Sequence, residues 1–352
     1  MGFDFDLENG EKWVDRDESG VFCGNYIFEH AENEEEVREA EAIHQWRALM
    51  NDAWRALAGN MLVTELIIEQ FLPKWVSYFR TDEFCRFLSR LHSVRMSIYG
   101  ESDGAGWGSN RVEGYDEAIG EVSDIFFRNM KNVRTLTLIA SPYGAFGGSD
   151  SLSVQLPLKP THLPELQEFY LGNAFLDDDV VAFIHQRSQT IRHLDLSGCM
   201  GDAYSREGLG TWSSLFSQLQ TMELPKLVSF SAGGRIMPCP RSFWKRGGPV
   251  SWGGLGIAHD WVDDLADSDT AYHESDNEWT NDQRKLWRYI KSNSKIQPFQ
   301  YCLLDDECGY ISACASRTLE SAQDGRDQIA YESLLKYVHQ NKMRMIQEAS
   351  GR

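Results

Sequence analysis

HLPELQEFYLGN, residues 162–173, sets Leu163, Leu166, Phe169 and Leu171 in the rhythm L-x-x-L-x-x-F-x-L and closes on Asn173. Side chains alternate across a strand, so Phe169 and Leu171 share one face while Glu168 and Tyr170 take the other. If the rhythm stood alone, it would mark one half-buried strand. If it recurs, each copy is a unit that cannot bury its apolar face without a neighbour.

It recurs along much of the chain. VTELIIEQ supplies Val63, Leu66 and Ile68. LSRLHSVRM supplies Leu88, Leu91, Val94 and Met96, leading to Ile98. MKNVRTLTL keeps the beat with Met130, Val133, Leu136 and Leu138, and TIRHLDLSGC with Ile191, Leu194, Leu196 and Cys199. LPKLVSF then repeats the start of the first stretch through Leu224, Leu227 and Phe230. The spacing from Leu66 to Val94 is 28 residues, followed by 42, 33, 25 and 36 to Leu136, Phe169, Leu194 and Phe230. A regular leucine-rich repeat has a period of about 20–29 residues, so this is an irregular version with long excursions.

Helical spacing fills several excursions. Ile119, Val122, Phe126 and Met130 recur at three and four residues, as do Val180, Phe183 and Ile184. Asp177 to Asp179 precede the second of these, where carboxylates suit the free N–H groups and positive dipole of a helix start. The expected fold class is therefore α/β, an irregular leucine-rich-repeat-like solenoid of parallel strands alternating with helices. Residues 1–43 are expected to be an acidic, disordered segment. Residues 44–232 form the solenoid, opened by a capping helix over 44–57 that turns Trp46, Leu49 and Trp54 inward. Residues 233–295 read as an irregular excursion rich in Gly, Trp and Asp. Residues 296–352 hold a last strand near Phe299 to Leu303 and a capping helix with Ala330, Leu334, Tyr337 and Val338 on one face.

The chain has 352 residues and a net charge of −19, of which residues 1–41 contribute −11. Such a balance repels a phosphate backbone, so no nucleic-acid partner is expected. No apolar run approaches a membrane span, and no basic stretch followed by an apolar core marks a secretory leader, so no membrane association is expected. The seven cysteines are an odd number and scattered, which fits reduced thiols and a cytoplasmic or nuclear location.

The stretch from His162 to Cys199, with Trp212 to Phe216 (WSSLF) and LPKLVSF after it, resembles the leucine-rich-repeat-like C-terminal region of fungal F-box proteins. In that family a helix ending in F-I-x-x-H, a T-L-x-x-L-x-L-x-x-C strand and a W-x-x-L-F helix follow one another. Phe183, Ile184, Thr190, Leu194, Leu196 and Cys199 match that order, with Ile191 for the usual Leu. The resemblance covers residues 44–232. It implies a substrate receptor whose F-box docks on the linker subunit of a cullin–RING ubiquitin ligase. Family members open that box with a Leu-Pro pair, and here no such pair precedes residue 72. The resemblance thus extends to the repeats and not to the box. A binding module without ligase linkage is the alternative.

Catalytic signatures are sparse. The chain has no G-x-x-x-x-G-K-[ST] loop, G-x-S-x-G elbow or H-E-x-x-H pair. Gly253, Gly254 and Gly256 lack the preceding strand and third glycine of a dinucleotide loop. Asp267, Asp269 and Glu278 fall at calcium-loop positions 1, 3 and 12, but Tyr272 stands where the turn needs Gly. Cys302, Cys308 and Cys314 are spaced too widely for a structural zinc pair. His185 reads as a helix-end residue and His193 as an outward strand residue. An unrecognised enzyme would have to be built around His259, Asp260 and Asp264. No enzyme activity, cofactor or metal is expected.

The expected function is protein–protein interaction, with the partner held on the outward positions of the strands. Those are Glu65, Ile67 and Glu69 on the first strand, Arg95 and Ser97 on the second, and Thr135 and Thr137 on the third. Glu168 and Tyr170 follow on the fourth, His193, Asp195 and Ser197 on the fifth, and Ser229 and Ser231 on the sixth. Stacked in parallel, they make one ladder on the concave face.

Overall fold

The computed structural model describes residues 45–71, 75–100, 115–148, 154–205, 210–233, 280–304 and 311–350, with single residues such as Glu41 between them. It is a mixed α/β structure built on an open, mostly parallel sheet. Strands β1 (Glu65–Phe71), β2 (Ser93–Ile98), β3 (Thr135–Ile139), β4 (Glu168–Phe175) and β5 (His193–Asp202) lie side by side in chain order. The far edge of β5 then divides. Its first residues pair in parallel with β6 (Ser229–Ala232), and Gly201 and Asp202 pair with β7 (Tyr301–Leu304). An antiparallel strand, β8 (Ile311–Ala313), closes that side.

Strands β2 to β6 all start in the same way. The first N–H of the strand and the one before it both donate to a single carbonyl, that of the residue preceding the neighbouring strand. Thr64, His92, Arg134, Gln167 and Arg192 supply those carbonyls at five successive interfaces. This shared start locks a common register, so Leu66, Val94, Leu136, Phe169, Leu194 and Phe230 stand level across the sheet. All six are buried.

Helix α1 (Gln45–Gly59) precedes β1, and α2 (Asp82–Arg90), α3 (Tyr115–Val122), α4 (Asp178–Gln186) and α5 (Trp212–Thr221) lie in the connections between strands. Thr81, Asp177 and Thr211 cap α2, α4 and α5 by accepting from the N–H three residues on. Helix α3 runs on through a π-helical turn, Ser123–Phe127. Three of the connections lay aromatics on the buried face of the sheet: Phe126 against Phe71, Phe183 against Phe169, and Phe216 against Phe230, with ring centroids 5.1–5.9 Å apart. These edge contacts add to the area that the rings bury.

The expected capping helix exists, but its inward face is set differently. Leu49 is half exposed, and the buried positions are Arg47, Asn51 and Ala58. Trp54 packs as expected against Phe79, Phe84 and Phe126, while the side chain of Trp46 lies outside the described residues. The correction has a polar origin. Arg47 donates to the Trp75 carbonyl at 2.6 Å, and Asn51 bridges the Tyr78 N–H and the buried Glu41 carboxylate. Polar anchoring, rather than apolar spacing, fixes the rotation of α1.

The 233–295 region is not irregular throughout. Residues 281–292 form α6 (Asn281–Ser292), opened by a reciprocal capping box between Thr280 and Gln283. Residues 234–279 lie outside the described residues, and with them the glycines, the calcium-loop acids and His259, Asp260 and Asp264. The C-terminal part is also richer than expected, because β8 and α7 (Ala315–Asp324) precede the long α8 (Arg326–Ser350). Buried Asp327 ties this part to the sheet. It accepts from the Ser213 N–H at 2.8 Å, from the Tyr301 hydroxyl at 2.9 Å and from the Ser321 hydroxyl.

Two bulges crease the sheet. Between Tyr170 and Ala174 the register with β5 shifts by one residue and then shifts back. Asn173 takes a left-handed conformation there (φ 53°), and its side-chain amide donates to the Ala140 carbonyl at 2.7 Å. Beyond the crease, Phe146 replaces β3 as the neighbour of β4. Phe175, Met200, Cys302 and Leu304 form a second, smaller core there.

Candidate functional site

The face of the sheet opposite the helices carries the outward ladder. One level is Glu65, Ser93, Thr135, Glu168, His193 and Ser229. The next is Ile67, Arg95, Thr137, Tyr170, Asp195 and Ser231. Each of these residues is half-buried or exposed, and Ile67 is 56% exposed. A third level, Ser97, Ile139, Gly172 and Gly198, borders the crease.

Two expected members depart from the continuous ladder. Glu69 falls at a bulge in β1, where Gln70 turns left-handed (φ 58°) and donates its N–H to the Ser97 hydroxyl at 2.8 Å. Ser197 falls at the bulge in β5. Its N–H and hydroxyl both donate to Asp195 Oδ1, at 2.9 and 2.6 Å, and so fix the outward carboxylate in place. A period of two cannot foresee an added residue, which explains both departures.

The sequence reading missed the floor beside Tyr170. A Cβ built on Gly198 would lie 2.8 Å from the Gly172 Cα and 3.0 Å from the Tyr170 hydroxyl oxygen. One on Gly172 would meet the Tyr170 ring at 3.2 Å and Ile139 at 3.3 Å. The hydroxyl and one ring-edge carbon of Tyr170 therefore approach two glycines at the crease, where a larger side chain would collide. The signal was a glycine one outward step beyond the L-x-L core, in LGN and again in SGC.

Charge is unevenly spread on this surface. Glu65 and Glu69 lie at the β1 edge, Glu168 and Asp195 on β4 and β5, and Arg95 between the two acidic groups. Among the described residues no carboxylate forms an ion pair with Arg95. Glu65 accepts a long hydrogen bond from Ser93, at 3.4 Å. The face thus carries carboxylates, one guanidinium, hydroxyls and one aromatic ring in register.

On the helical side, an open cleft of about 430 Å³ lies between α4 and α5, lined by Val181, His185, Gln218 and Met222 among others. His185 borders it from the last turn of α4, and His193 is on the opposite, sheet side. The histidines that flank the best-patterned strand are thus not brought together. Burial pushes the Cys302 thiol up to about 12 and raises that of Cys199 as well, so neither is a nucleophile near neutral pH. Cys308 lies outside the described residues. Among the described residues no group of three or more His, Cys, Asp or Glu could hold a metal, and no helix is long and apolar enough to cross a membrane.

No family model, no curated protein and no solved structure matches this chain.

Proposed function

We propose that this chain is a protein-interaction scaffold, a leucine-rich-repeat-like solenoid whose outward sheet face holds a protein partner. The observation that carries this reading is the in-register ladder across β1 to β6, where two levels of polar and charged side chains share one open face. The common hydrogen-bonded start at five interfaces supports the repeat interpretation, since the same local device recurs despite unequal spacing. Units of this kind are stabilised by their neighbours and present extended surfaces to partners.

In this reading the chain has no catalytic chemistry of its own and acts in the cytoplasm or nucleus, away from nucleic acid and membrane. The resemblance to fungal F-box proteins favours a receptor role in ubiquitination, with the cullin–RING linker subunit as a second partner. Affinity purification of the tagged full-length chain from its own cells, read by mass spectrometry, tests both parts. Recovery of the linker subunit supports the receptor role, and its absence leaves a scaffold without ligase linkage. Partners that persist unchanged when Glu168 and Asp195 are both replaced by Lys overturn the assignment of the outward face.

A further inference from the structure

We infer that the open edge of β1 accepts one further strand, an extended (Lys/Arg)-apolar-apolar-apolar segment of a partner protein running parallel to β1. This goes beyond the outward-face reading, because the edge is a backbone site and the ladder a side-chain one.

The shared start of β2 to β6 shows what this edge lacks. At each of those strands two successive N–H groups donate to one carbonyl just before the neighbouring strand. Thr64 and Glu65 hold the same position at β1, and their N–H groups have no acceptor among the described residues. Successive residues of a strand turn their backbone groups to opposite sides, so Glu65 and Ile67 direct N–H and C=O away from β2. No strand pairs with that side among the described residues. Helix α1 precedes β1 as α4 precedes β5 and α5 precedes β6, yet no described strand stands before it.

The edge is also short of apolar cover. Met96, Leu138 and Leu171, level with Ile68, are fully buried, whereas Ile68 is only half-buried. Met61 and Leu62, on the turn that leads into β1, are 69% and 89% exposed. From Thr64 to Ile68 the chain has no Pro and no Lys, residues that commonly guard a free edge against pairing. Such an edge is a template for strand addition.

The repeated start fixes the direction and register of the newcomer. The carbonyl before its first residue takes the Thr64 and Glu65 N–H groups. Its second residue donates to the Glu65 carbonyl and accepts from the Ile67 N–H, and its fourth donates to the Ile67 carbonyl. Side chains one and three then stand outward beside Glu65 and Ile67, and two and four inward beside Leu66 and Ile68. Position one is cationic, because Glu65 is exposed and accepts only the long bond from Ser93 among the described residues. The other three are apolar, matching the exposed Ile67 and extending the core past Leu66 and Ile68. A second β1 laid in the same register would set Glu65 beside Glu65, and that like-charge pair favours a different chain as the occupant. The net charge of −19 likewise favours a basic partner.

Fluorescence anisotropy on the full chain tests this with labelled peptides carrying Lys-Val-Ile-Val between Gly-Ser flanks. This peptide is expected to bind, and its Glu-Val-Ile-Val counterpart to bind about tenfold more weakly. N-methylation of the second residue removes an N–H that faces β1 and should weaken binding about tenfold. N-methylation of the third removes one that faces away and should leave affinity within about twofold. Glu65→Lys is expected to reverse the preference toward Glu-Val-Ile-Val, a gain that a misfolded variant could not show. No binding of Lys-Val-Ile-Val, or no reversal in Glu65→Lys, overturns the inference. Sensitivity to the third N-methyl and not the second would mean an antiparallel strand, which overturns the assigned direction and register. A dimer in light scattering that Lys-Val-Ile-Val fails to dissociate gives the edge to a second copy and overturns the assigned partner. The outward face is judged separately through Glu168 and Asp195, so the failure of either reading leaves the other standing.

Discussion

Single residues hold the ladder in place from below. His162 sits in the turn before β4, buried, with its ring nitrogen accepting from the Lys159 N–H at 3.1 Å. Burial first, and then the positive charge of Lys159, depresses its pKa to about 4. The folded form thus binds its proton less readily than the unfolded chain, whose histidine titrates near 6.5. The stability this residue contributes is complete above about pH 6.5 and is lost as the pH falls through 4. Thermal midpoints measured from pH 7.5 to 4.5 should drop less steeply in His162→Gln than in the wild type, and parallel curves would refute the assignment. Asp327 acts at the other end of the chain. Asp327→Ala strands a backbone N–H and two hydroxyls in the interior, an expected loss of about 3 kcal/mol in denaturant unfolding. Tyr301→Phe removes one of those bonds, together with the acceptor of the Trp212 N–H at 3.3 Å, and should cost about 1–2 kcal/mol.

Elements differ in how openly the sequence declares them. The strands β1 to β6 were readable because their apolar residues alternate and recur, and α4 because a run of Asp precedes its apolar stripe. Helix α6 was also readable in principle, since Thr280 and Gln283 have capping-box spacing, but the surrounding Gly- and Asp-rich stretch hid it. The rotation of α1 was not readable, because it depends on Arg47 and Asn51 reaching partners about 28 residues away. The crease was hidden for a similar reason: it depends on two bulges and on glycines whose purpose appears only when β4 and β5 are set together. That purpose gives a paired test. Gly198→Ala forces a Cβ to within 2.8 Å of the Gly172 backbone and should destabilise by about 2 kcal/mol. Gly120→Ala on α3 meets nothing within 4 Å and should stabilise by about 0.5–1 kcal/mol. Chemical denaturation of both variants distinguishes a glycine required for close approach from one that only weakens a helix.

At the scale of the whole molecule, the chain leaves the ladder at Gly233 and returns to the same point. The Gln297 side chain donates to the Ala232 carbonyl, and a Cβ on Gly233 would lie 2.7 Å from the Phe299 ring. A variant with residues 234–295 replaced by a short Gly-Ser linker should therefore still unfold in one cooperative step. Its cost should be about 1–3 kcal/mol, from losing α6 and its contact with α7. Loss of cooperativity by near-ultraviolet circular dichroism would show that the segment is part of the core. The divided edge of β5 has a different, historical consequence. Between β1 and β3 each strand offers its successor the same free edge, so duplication or loss of a strand–helix unit there leaves the rest of the topology intact. Beyond β5 that edge is already shared by β6 and β7, and a newcomer would have to displace both. Descendants of this chain should therefore differ in length on the amino-terminal side of β4 and inherit β5 to β8 as an indivisible block.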